Sequence, residues 1–221
     1  MALKRRSTIP ETKTNNDNVE YTNLEAGEHE GRLVYVADLG LQEREYMGES
    51  KPPAQQLSLG IEIIGQTVSI DSKEVPRILW TKPFNVFYTL TEKGNEMKYF
   101  SVFDASAQEG SVADWDSVLG LPCNVVIKHT KGKGENSNRV YDNISNLTPI
   151  PAKYQEGVGA ALTTDMAVGD ADDENNAATK ALFGLAKFVF DKRINENKPK
   201  LSVVKESVSD EDDDFEDDIP F

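Results

Sequence analysis

Between positions 57 and 63 the chain alternates without a break: Leu57, Leu59, Ile61 and Ile63 are separated by Ser58, Gly60 and Glu62. A period of two puts the four branched side chains on one face of an extended strand and their neighbours on the other. Such a segment belongs in a sheet with one face buried, because an amphipathic helix would need spacings of three and four. Lys51-Pro52-Pro53 upstream forces a turn, so the strand has a defined start.

The flanking sequence repeats this reading. Over residues 31–39, Leu33, Tyr35, Ala37 and Leu39 share one face of an earlier strand. Gly40 allows a bend before residues 42–47. Residues 78–81 and 84–88 are rich in β-branched and aromatic side chains, with Pro83 marking an edge or bulge. Residues 91–96 start a short helix before residues 98–103, and residues 114–119 form a helical turn. Residues 124–129 and 140–147 make a hairpin around the loop Lys131-Gly132-Lys133-Gly134-Glu135-Asn136-Ser137-Asn138. Five or six short strands and a small helical insertion in about 120 residues predict a mainly β protein. The oligonucleotide-binding (OB-fold) barrel suits that count best, with a small β-sandwich as the alternative.

The expected organisation has four parts. Residues 1–23 are a flexible polar arm, and 24–151 are the barrel. Residues 152–200 hold a linker at 157–173 and a helix over 177–194, where Ala178, Ala181, Leu182, Leu185, Phe188 and Val189 recur at three and four. Asp173 or Asn175 caps that helix, Gly184 weakens it, and it packs on the barrel or on another subunit. Residues 201–221 are a disordered acidic tail.

The tail concentrates the charge. Residues 209–221 hold eight of the 38 Asp and Glu residues and no Lys or Arg, so the body is far less acidic than the net charge of −14 suggests. Like charges this dense cannot fold on themselves. The run nevertheless ends on an apolar triplet, which suits capture by a partner with an apolar pocket and a basic rim. The docking residues would be Asp214, Phe215, Asp217, Asp218, Ile219, Pro220 and Phe221.

Catalysis finds little support. The two histidines, His29 and His129, have no Cys or His partner at metal-ligand spacing, and Lys131-Gly132-Lys133-Gly134 lacks the ending of a phosphate-binding loop. The reading is a non-enzyme with no cofactor and no metal. The single cysteine, Cys123, is expected as a buried thiol. With no long apolar run and no signal-peptide pattern, a soluble protein of a reducing compartment is expected. Binding of single-stranded nucleic acid, which needs rings for bases and cations for phosphates, finds more. Arg77, Trp80, Lys82 and Phe84 interleave the two types. Arg139 and Tyr141 share one face of the last strand, opposite Val140 and Ile144, and Lys128, Lys131 and Lys133 lie in the paired hairpin. Phe87, Tyr99, Phe100 and Phe103 are assigned mainly to the core, and Tyr35 is expected to be buried.

The terminal Asp-Phe-Glu-Asp-Asp-Ile-Pro-Phe resembles the tip of bacterial single-stranded DNA-binding proteins. The body is similar, over roughly residues 28–151, to the OB-fold single-stranded DNA-binding proteins of tailed bacteriophages. That similarity lies in Glu30-Gly31-Arg32-Leu33 through Gly40, in Trp80-Thr81-Lys82-Pro83-Phe84, and in Leu119-Gly120-Leu121-Pro122-Cys123 with Tyr141-Asp142-Asn143-Ile144 and Pro149-Ile150-Pro151. The ordered body has no long basic run, and the helix after residue 176 has no counterpart in the bacterial proteins. The resemblance implies a protein that coats single-stranded DNA during phage replication, recombination or repair, in the cytoplasm of an infected bacterium. Its tip would recruit replication and recombination enzymes. The alternative is a decoy that binds no DNA and sequesters host replication enzymes through the same tip.

Overall fold

The computed structural model describes residues 19–20, 22–70 and 72–194. Most of the expected N-terminal arm, and all of the acidic tail with its docking tip, lie outside these residues. The elements in chain order are β1 (Val19–Glu20), β2 (Gly27–Tyr46), β3 (Glu49–Ile70), β4 (Lys73–Trp80), β5 (Phe84–Asn85), α1 (Asn95–Phe103), β6 (Pro122–Lys131), β7 (Val140–Pro149), α2 (Ala152–Gln155), β8 (Ala167–Val168), α3 (Ala177–Lys180) and α4 (Gly184–Asp191).

The protein is mainly β, built on one antiparallel sheet with order β1-β3-β2-β6-β7; β4 and β5 also pair with β3, and β8 adds to β2 in parallel. The expected barrel is not closed by hydrogen bonds, because β4 and β7 share no ladder. A side-chain bridge spans them instead. Arg77 on β4 and Asp142 on β7 form an ion pair at 2.7 Å with both side chains almost sealed from solvent. Asp142 also accepts from the Leu24 backbone N–H at 3.0 Å and from Asn23 Nδ2 at 2.8 Å, so one carboxylate ties three segments together.

The long strand β2 serves both halves of the sheet. Its start pairs with β6 and its remainder with β3, and Gly31 lies in both registers. A Cβ at Gly31 would stand 2.7 Å from Ile61 Cγ2 and 2.8 Å from Val125 Cγ2, so only glycine lets the layers meet there. A bulge between Leu33 and Tyr35 then inverts the alternation. Leu33 and Val36 enter the main core with Leu59, Ile61, Val125 and Ile127, whereas Val34, Tyr35, Ala37 and Leu39 face a second core. The single apolar face expected for Leu33, Tyr35, Ala37 and Leu39 is therefore split.

The helix expected to start within residues 91–96 is α1, which runs on through Phe103. Tyr99, Phe100 and Phe103 belong to α1, which lies on the main core and sets Phe100 edge-on to Trp115, with ring centroids 5.0 Å apart. Their β-forming character gives way to the burial that the helix achieves.

The second core shows that residues 157–173 are more than a connection. Strand β3 is buried on both faces from Leu57 to Ile63, and the outer face is covered by the chain from Val158 onward. Glu62, only 1% exposed, accepts from the backbone N–H groups of Leu162 (2.6 Å) and Thr163 (2.9 Å). Arg32 donates to the carbonyls of Val158, Gly159 and Gly120. Each polar side chain meets backbone groups that would otherwise be buried without partners. The expected helix over 177–194 divides into α3 and α4. Asn176 caps α3, its side chain accepting from the Ala178 N–H, and Phe183 is extended between the two helices. Ala178, Leu182, Ala186 and Phe190 pack on β2.

Candidate nucleic-acid interface

The C-terminal arm and the outer face of the sheet leave a groove between them. It is about 940 Å³ in volume and open along one side. Its floor and one wall come from β4 (Ile78, Trp80), the end of β3 (Ile70) and β7 (Tyr141, Asn143), and its other wall from Leu162, Phe183 and Phe188.

Strand β4 is held with unusual completeness where it passes the groove. Tyr35, Gly60 and Trp80 are in register across β2, β3 and β4. A Cβ at Gly60 would lie 3.0 Å from Tyr35 and 3.2 Å from the Trp80 ring. The missing side chain lets the two rings close over it, stacked at 6.2 Å with planes 11° apart. Trp80 Nε1 donates to the Ala181 carbonyl at 3.3 Å, and Tyr35 Oη to Asp165 at 3.2 Å. Burial, followed by the nearby Asp165 charge, pushes the Tyr35 phenol up to about 12, so it stays a donor through the physiological range. Just past Trp80, Thr81 continues the contact with β3 by its backbone N–H to Leu59 (2.9 Å) and by its hydroxyl, which accepts from the Leu59 N–H (2.9 Å). The ladder thus survives the break that Pro83 imposes.

Of the nine residues read from sequence as binding single strands, five line this groove: Arg77, Trp80, Lys82, Arg139 and Tyr141. Arg77 is only structural here, since its guanidinium is buried against Asp142 and also donates to the Thr22 carbonyl at 3.2 Å. Trp80 is half-buried, with its ring edge committed to Ala181. Lys82 and Arg139 are exposed, and Tyr141 is half-buried. Phe84 is 3% exposed and packs on Tyr99 at 4.9 Å, so it presents no face to a base. Lys128, Lys131 and Lys133 are exposed on the β6–β7 hairpin but do not line the groove. Alternation placed Tyr141 and Asn143 together, and both line the groove, but Asp142, expected on the other face, lines it as well. Nor could alternation show that Lys128, opposite Asn143, stands one strand further out.

The sequence reading missed the opposite wall. Phe183 is 60% exposed, and Leu162 and Phe188 are also exposed; all three belong to the arm taken as linker and packing helix. Lys192 Nζ lies 4.0 Å above the Phe188 ring, placing a cation beside an aromatic face. Phe188 was expected on the packed stripe of a continuous helix; in α4 it lies off the face carrying Ala186 and Phe190. Among the described residues no group of His, Cys, Asp and Glu could hold a metal, and no helix is long and apolar enough to cross a membrane. Cys123 is buried, and burial pushes its thiol up to about 12.

The comparisons give no family. No protein-family model matches the chain, and no curated protein matches it.

Proposed function

We propose that the chain is a binding protein for single-stranded DNA, without sequence preference, and that the strand lies in the groove between β4, β7 and the C-terminal arm. The observation that carries this reading is the meeting of exposed apolar and aromatic side chains with cations along one open cleft. Phe183, Phe188 and Tyr141 offer flat faces, Lys82 and Arg139 offer positive charge in the cleft, and Lys192 adds charge beside it over the Phe188 ring. Stacking of a base on a ring contributes about 1–3 kcal/mol and is indifferent to base identity, because every base has a π-face. An exposed Phe on a groove wall is otherwise unfavourable, since it leaves apolar surface in water.

The order of the strands supports a half-open form of the five-stranded oligonucleotide-binding barrel. In that form β2, β3, β4, β6 and β7 are the barrel strands, and the Arg77–Asp142 pair substitutes for the missing ladder. The resemblance to the tailed-bacteriophage proteins belongs to the same proposal. So does recruitment of replication and recombination enzymes by Asp214, Phe215, Asp217, Asp218, Ile219, Pro220 and Phe221, in a host cytoplasm and with no chemistry of the protein's own.

The test is a gel shift at low salt with an oligothymidine of about thirty nucleotides, long enough for a strand to fill the groove and extend past it. Retention of the single strand and not of a duplex of equal length is the expected result. No retention, or equal retention of both, rejects the proposal. Removal of residues 219–221 should leave this affinity in place and abolish only the capture of partner enzymes.

A further inference from the structure

Beyond the groove, two adjacent rings stand in solvent on a loop that is fixed at several points. Phe87 is 52% exposed and Tyr88 is 91% exposed. The Val86 N–H donates to the Gln55 carbonyl at 2.9 Å. The Leu90 N–H donates to Ser111 at 2.8 Å, and Leu90 accepts from the Gly110 N–H at 2.9 Å. Glu96 is buried and accepts from Trp115 Nε1 at 3.4 Å. Backbone this firmly held, with its apolar side chains turned outward, presents those side chains; a mere connection would carry polar residues there. The assignment of Phe87 to the core is thereby corrected.

The position of the loop is set by β3. Strands β4 and β5 follow one another along the same edge of β3, with Trp80 opposite Gly60 and Val86 bonded to Gln55. Five residues of strand separate these points, about 16 Å at ~3.3 Å per residue. Exposed charge over residues 82–98 is Lys82, Lys93 and Lys98 against Glu92 alone, so this edge is positive in a protein that is acidic overall. Rings with flanking lysines match a nucleic-acid strand, not an acidic protein partner's apolar face alone.

We propose that Phe87 and Tyr88 form a second stacking subsite, which takes the bases of the same single strand after it leaves the groove past Lys82. This rests on the groove reading and extends it. A single strand leaving the groove past Lys82 has to cross that distance before it meets the loop. A very short oligonucleotide therefore fills the groove without reaching the loop, and a longer one engages both.

The test compares the full chain with the double variant Phe87→Ala, Tyr88→Ala, using fluorescent oligothymidines of about four and about sixteen nucleotides. The expected result is affinity within about twofold for the short strand and a loss of about five- to a hundredfold for the long one. An unchanged affinity for the long strand overturns the inference, as does an equal loss on both lengths. A drop in the mass of the DNA-free protein on substitution would assign the rings to contact between copies, and overturns it too. Failure of the groove reading would show differently, as a native protein that binds neither strand. Both side chains are exposed, so the variant retains the fold.

Discussion

Removal of the Glu62 carboxylate should release the C-terminal arm from the sheet. Its two oxygens accept from consecutive N–H groups at 2.6 and 2.9 Å in a site closed to water. In Glu62→Ala both donors lose their acceptor, and each buried unsatisfied N–H costs about 1–3 kcal/mol. Two effects reduce the sum: a desolvated carboxylate is no longer carried in the interior, and the arm can peel back until water reaches the N–H groups. The expected loss is about 2–3 kcal/mol in urea denaturation, or roughly 4–12 °C in Tm for a chain of this size. Glu62→Gln retains one acceptor and should lose about half as much. The same variants should weaken single-strand binding, because Leu162, Thr163 and Asp165 are part of the groove and move with the arm. A Glu62→Ala protein with unchanged stability and protease resistance across residues 157–194 would refute the claim that this contact holds the arm.

Arg77→Met leaves Asp142 buried without its cation and should cost about 3–5 kcal/mol in denaturant titrations, whereas the exposed Arg139→Met should cost under about 0.5 kcal/mol. Burial holds the Glu96 carboxyl above its ordinary range, partly opposed by the Trp115 and Phe87 hydrogen bonds. The stability linked to this group is full below its unfolded value and lost as pH rises through the folded one. Glu96→Gln should therefore gain on the native protein between pH 4 and pH 7, and a constant difference across urea titrations at those two values would contradict the sign. With Lys82 and Arg139 in the groove and Lys192 beside it over Phe188, the logarithm of affinity should fall with the logarithm of salt at a slope of about 2. A much steeper slope would move the strand onto the Lys128, Lys131 and Lys133 hairpin.

The β-elements were legible because burial on one face imprints a period of two, as at Leu57, Leu59, Ile61 and Ile63. The same segment hid the arm. Ser58, Gly60 and Glu62 read as a solvent face, since nothing local tells a hydrated carboxylate from one that holds two distant N–H groups. The bulge after Leu33 was equally silent, because it changes parity without changing composition. The start of α1 was legible within residues 91–96, but its extent was not, because Tyr99, Phe100 and Phe103 carry β-forming side chains that the helix packs on the core. In the candidate site, Tyr141 followed from alternation alone. Arg77 and Phe84 looked like binding residues only because the ion pair with Asp142 and the packing on Tyr99 lie far apart in sequence. Phe183 and Phe188 became visible as a groove wall only once the arm was folded back over β4.

Trp80 provides the most direct test of the central idea that this groove grips unpaired bases. Trp115 is buried against Phe100, so a fluorescence change on adding DNA reports the ring in the groove. Titration with oligothymidine should give a saturable change that a Phe183→Ala protein reproduces only at about five- to a hundredfold higher concentration. Binding with no Trp80 response and with native affinity in Phe183→Ala would place the strand elsewhere on the protein.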